Sequence, residues 1–129
     1  MKFNSQICTS REQSERLLAL GLKKETADMK WLGCSDENGD IYYLLSDVPH
    51  HFRSTDIPAW SLHRLIEMMP KSIHFENEDW YKIIYNNSVC YQRGQFSICR
   101  SCKGDLYEDI ANCIEWLIKG GYFNKEYLV

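Results

Sequence analysis

Cys99 and Cys102 stand either side of Arg100-Ser101 in "SICRSCKGD", the spacing at which two thiolates converge on one metal ion or close one disulfide. A structural zinc needs four ligands, and this pair supplies two. The others would come from Cys90, diagonal to Cys99 on one face of a sheet, and from Cys34 or His74 on another strand; no second close pair exists. A strand, then the dithiol, then a helix is also the order of a redox centre. Such a centre requires a βαβ frame and a cis-proline later in the chain, whereas Pro49, Pro58 and Pro70 all come earlier. Lys103-Gly104 further separates Cys102 from the positive end of the following helix. The thiols therefore read as ordinary side chains of a sheet and a loop. The alternative is a zinc-stabilised module on Cys99, Cys102, Cys90 and Cys34.

"HHFRSTD", from His50 to Asp56, gathers two histidines, an arginine, two hydroxyls and a carboxylate in a loop, where catalytic groups often sit. A small hydrolase built on this loop is the second alternative. Neither a nucleophile elbow nor a metalloprotease helix accompanies it, and the phosphate-cradling glycine patterns are absent. No catalytic residue and no cofactor follows from the sequence, and the chain reads as non-enzymatic.

The balance of 15 basic and 18 acidic side chains, without a basic run, argues against nucleic acid as a partner. Nowhere do eighteen apolar residues follow one another, and the start "MKFNSQICTS" has no signal-peptide core, so no membrane contact and a cytoplasmic setting are expected. In that setting the six cysteines are free thiols, and the sequon Asn86-Asn87-Ser88 carries no chemistry. A length of 129 residues, 44% of them apolar, suits one soluble domain over residues 1–129.

The positioning elements follow from local signals. Thr9 with Glu12 predicts a capped helix over "TSREQSERLLAL", closed by Gly21, and "KKETADM" adds a further turn. "KWLGCS" and "IYYLLS" flank Asn38-Gly39 as a hairpin. A loop leads to a helix over 58–69, with Pro58 at its first position, Thr55 or Asp56 as cap and Leu62, Leu65, Ile66 and Met69 as its buried stripe; Pro70 ends it. "SIHFE", "WYKIIY", "SVCYQ" and "QFSIC" then form an antiparallel meander with turns at Asn77-Glu78-Asp79, Asn86-Asn87 and Arg93-Gly94. A last helix starts at Asp105 with Glu108, buries Leu106, Ile110, Cys113, Ile114 and Leu117, and closes at Gly120-Gly121. The expected fold is α+β, an antiparallel meander with helices packed mainly on one face.

Parity across the meander collects Ile73, Phe75, Trp80, Ile84, Val89, Tyr91, Phe96 and Ile98 on a core face, with Lys82 as a misfit at an edge. The second face takes Ser72, His74, Tyr81, Ile83, Tyr85, Ser88, Cys90, Gln92, Gln95, Ser97 and Cys99. Tyr81, Ile83 and Tyr85 on it have the aromatic, amphipathic composition favoured at protein interfaces. They mark the expected binding surface for a protein partner or a second copy.

"TSREQSERLLALGLKKETADM", "DIPAWSLHRLIEMMP" and "YEDIANCIEWLIKGGYF" together resemble short proteins carried by prophages and mobile elements of gut anaerobic bacteria. The resemblance covers roughly half of the chain and leaves out the meander and "CRSC". It implies a bacterial or phage setting and assigns no functional residue.

Overall fold

The computed structural model describes residues 6–47, 51–85, 88–98 and 105–129. Over these residues the chain is α+β, with helices and two antiparallel sheets of three and four strands. It divides into two compact units, residues 1–65 with Val129 and residues 66–128.

The first unit opens with helix α1 (Arg11–Ala19). Its cap is Ser10, one residue later than expected: Ser10 Oγ accepts from Gln13 N–H while Gln13 Oε1 accepts from Ser10 N–H. Thr9 is unavailable because it is buried and already engaged. Its N–H donates to Trp60 O, and its hydroxyl accepts from Trp60 N–H and bonds Ser14 Oγ. Strands β1 (Met29–Ser35) and β2 (Ile41–Ser46) form the expected hairpin, Ser35 opposite Ile41 and Lys30 opposite Ser46. Its loop is drawn tight by the Asp36 carboxylate, which accepts from the N–H groups of Asn38 and Asp40.

The stretch expected to open the middle helix is instead strand β3 (Ile57–Ala59), which pairs with the far side of β1 and places Pro58 opposite Lys30. A proline lacks only the amide hydrogen, and an edge strand tolerates that loss. Helix α2 (Leu62–Met68) starts later, with Ser61 Oγ accepting from Arg64 N–H in place of Thr55 or Asp56. Helix α1 packs against β3, Trp31 Nε1 donates to Thr9 O, and the Arg11 guanidinium lies over the Tyr43 ring.

The second unit holds β4 (Ser72–Phe75), β5 (Glu78–Ile84), β6 (Val89–Arg93) and β7 (Phe96–Ile98), hydrogen-bonded in chain order as the expected meander. The register places Ile73 opposite Trp80, Lys82 opposite Tyr91, Ile84 opposite Val89 and Tyr91 opposite Ile98, so the two faces divide as their parity predicts. Two turns move by one or two residues. Glu76-Asn77, both at positive φ, join β4 to β5, and Gly94-Gln95 join β6 to β7. The expected Asn86-Asn87 turn lies outside the described residues; beside it Tyr85 N–H donates to Ser88 O.

Helix α3 (Leu106–Gly120) packs against β6 and is capped as expected: Asp105 accepts from the N–H groups of Tyr107 and Glu108, and Gly121 closes it in the left-handed conformation. Ile110, Cys113, Ile114 and Leu117 are buried along it. Trp116 meets Phe75 edge-on and stacks on Tyr122. The core face is buried along its middle, at Ile73, Trp80, Val89 and Tyr91, whereas Ile84 at the end of β5 and Phe96 at the start of β7 are exposed. Lys82 is not at an edge, since β5 lies between β4 and β6. Its ammonium donates to the carbonyls of Ile66 and Met69 at the C-terminal end of α2, where Ile66 O also accepts from Met69 N–H.

Candidate interaction surface

Strand β5 alternates Trp80, Lys82 and Ile84 on one face with Tyr81 and Ile83 on the other, and Tyr85 follows on the second face. Tyr81 is 58% and Tyr85 41% exposed, with Ile83 half-buried between them. Around them the same face presents Ser72 opposite Tyr81, Gln92 on the neighbouring strand and a contact of 3.0 Å between His74 Nδ1 and Asp79 Oδ1. Tyr85 Oη donates to Gln92 Oε1 at 2.7 Å, and Gln92 Nε2 in turn donates to Gly94 O. These bonds hold the Tyr85 ring in one orientation without hiding it. The face is not open throughout, because Ser88 and Cys90 on it are buried.

The zinc ligand set is not assembled among the described residues. Cys34 is half-buried on β1 in the first unit, Cys90 is fully buried on β6 in the second, and Cys99 and Cys102 lie outside the described residues. Cys8 and Cys113 are buried too. Burial, with the nearby Asp28 carboxylate adding to it, pushes the Cys8 thiol up to about 11, so it stays protonated and unreactive at neutral pH.

Of the "HHFRSTD" loop, His50 lies outside the described residues and the rest serves a structural knot. Asp56 is enclosed: its carboxylate accepts from Lys30 Nζ at 3.3 Å, from Arg53 through backbone N–H and guanidinium, and from Gly33 N–H. Burial works against the charged carboxylate, but these donors outweigh it and hold Asp56 well below the usual carboxylate range. Lys30 Nζ also donates to His51 O and lies over the Phe52 ring, and Arg53 donates to Gly33 O. The loop comes so close to β1 that a Cβ on Gly33 would stand 2.6 Å from Thr55 O. Asp56, Arg53 and Lys30 thus fasten the loop to the sheet and are committed to one another.

Beside this knot an open groove of about 770 Å³ is lined by Lys24, Glu25, Ala27, Asp28, Asp47, His51 and Phe52. Asp28 is occupied on its far side, accepting from Ser61 N–H and bonding the Ser61 hydroxyl.

Two features were not read from the sequence. Strand β2 leaves Ile41, Tyr42 and Leu44 exposed at the end of its sheet; an unbroken apolar run such as "IYYLLS" reads as a strand covered on both faces. In α3, Asp109 is 1% exposed and neither carboxylate oxygen has a hydrogen-bond partner among the described residues. The sequence shows it only as an acid in a first helical turn, where an acid is ordinarily welcome. No family model, curated protein or solved structure matches this chain.

Proposed function

We propose that the protein is a non-enzymatic interaction module that binds a protein partner through Tyr81, Ile83 and Tyr85. The observation that carries this reading is the exposure of Tyr81 on β5 and of Tyr85 just past its end, in a surround of Ser72, His74, Asp79 and Gln92. Tyrosine contributes a large contact area and a polar tip at low entropic cost, and short polar neighbours supply adaptable hydrogen bonds; protein-binding surfaces favour this mixture. The resemblance of its helical stretches to prophage and mobile-element proteins supports a bacterial or phage setting, with the cytoplasm as its place of action. No described helix is long and apolar enough to cross a membrane.

The test is proximity labelling in the producing cells with the wild type and the Tyr81→Ser, Tyr85→Ser double variant, both checked for an unchanged melting temperature. A protein labelled by the wild type and lost with the double variant supports the reading. Labelling that survives the double substitution overturns it.

A further inference from the structure

Strand β2 is the end strand of its sheet among the described residues, and its outer edge has no strand beside it. The register shows what that edge offers. Asp36 N–H donates to Asp40 O, which makes that pair hydrogen-bonded. Antiparallel pairs alternate, so Tyr42, Leu44 and Ser46 face β1 with their amides and carbonyls, and Ile41, Tyr43 and Leu45 turn theirs outward. The opposite edge, β3, is three residues long and carries Pro58, two of the devices by which edges are blunted. The six residues of β2 contain neither charge nor proline, and Ile41 is 66%, Tyr42 47% and Leu44 51% exposed.

The charges at the ends of β2 specify the occupant. Glu37 and Asp40 stand before it and Asp47 after it, all exposed and without an ion-pair partner among the described residues. A second copy of β2 is disfavoured in either direction: antiparallel pairing through Ile41, Tyr43 and Leu45 would bring Asp40 to within one position of Asp47 of the other copy, and parallel pairing would place like beside like. We infer that β2 takes up an extended segment of another protein, apolar in alternation and flanked at both ends by lysine or arginine, as an added strand. Outward amides and carbonyls of Ile41, Tyr43 and Leu45 form the ladder, and the acidic brackets select the basic flanks. Six residues span about 20 Å, enough for a short peptide with one basic group beyond each end. The surface belongs to the first unit and does not rest on the tyrosine reading, which it can outlive or precede in failure.

The probe is a short synthetic peptide of alternating valine and threonine with lysines at both ends, titrated into the full chain and followed by amide chemical shifts. Saturable shifts centred on Ile41, Tyr43 and Leu45 are expected. The same peptide flanked by aspartates should bind roughly tenfold more weakly, the difference a few screened charge pairs make. An N-methylated version, which cannot complete the ladder, should not bind. In the Asp40→Lys, Asp47→Lys variant, folded by circular dichroism, the preference should reverse. Equal binding of the N-methylated peptide, an unchanged preference after charge reversal, shifts centred on Tyr81 and Tyr85, or no shift at millimolar peptide would each overturn the inference.

Discussion

Asp56 and Asp109 are both enclosed carboxylates, and their surroundings give them opposite effects on stability. Asp56 accepts from Lys30, Arg53 and Gly33. Removing it in Asp56→Ala leaves the Lys30 ammonium, itself buried, without its carboxylate, and should cost about 3 kcal/mol of unfolding free energy in a denaturant titration. Because its folded-state pKa is depressed, burial opposing and the donors prevailing, Asp56 supports the fold fully above the ordinary aspartate value and loses that support as pH falls below it. Between about pH 5 and about pH 3 the wild-type melting temperature should therefore fall more steeply than that of Asp56→Asn, and parallel profiles would contradict the assignment. Asp109 has no such donors among the described residues. The partial positive charge at the start of α3 favours it by well under 2 kcal/mol, less than burial of an unpartnered carboxylate takes away. Asp109→Leu should raise stability by about 1–3 kcal/mol in the same titration, and a loss would show that the carboxylate has a polar partner in the folded chain. Neither effect is legible in the sequence, because the two aspartates differ only in what the folded chain brings within reach of them.

Among the elements, those set by neighbouring residues were readable and those set by distant ones were not. Asp105 and Gly121 bound α3 through contacts within a few residues, and the meander's parity follows from a strict two-residue alternation. Strand β3 depends on β1, far away in the chain, and its Ile-Pro-Ala reads locally as a helix start. Thr9 was displaced as a cap by Trp60, fifty-one positions on. The same divide holds for the candidate surfaces: parity predicts that Tyr81, Ile83 and Tyr85 share a face, but their exposure, and that of β2, is decided by packing. The β4–β5 turn keeps a local strain that can be relieved. Glu76 and Asn77 both have positive φ, as the two-residue hairpin turn requires, and Glu76 has neither the short polar side chain nor the freedom to adopt it cheaply. Glu76→Asn with Asn77→Gly should stabilise the protein by about 1 kcal/mol, seen as a higher melting temperature with unchanged amide shifts in β6.

At the scale of the whole molecule, the boundary between the two units carries no proline-rich or glycine-rich linker, because it falls inside α2, between Leu65 and Ile66. The chain returns at its last residue, where Val129 N–H donates to Gly21 O within the first unit. A helix shared in this way cannot keep its hydrogen bonds when either unit melts. Its start is held by Ser61 and its end by Lys82, one anchor in each unit. Unfolding should therefore proceed as one transition, with equal calorimetric and van't Hoff enthalpies. Asp56→Ala, which acts in the first unit, should lower the protection of Tyr91 and Val89 amides in the second by the same free energy as that of Leu32 in the first, measured by hydrogen exchange across a denaturant series. Protection of β6 that outlasts the loss of β1 would mean that α2 joins two independently stable units, and the two candidate binding surfaces could then be studied on separate fragments.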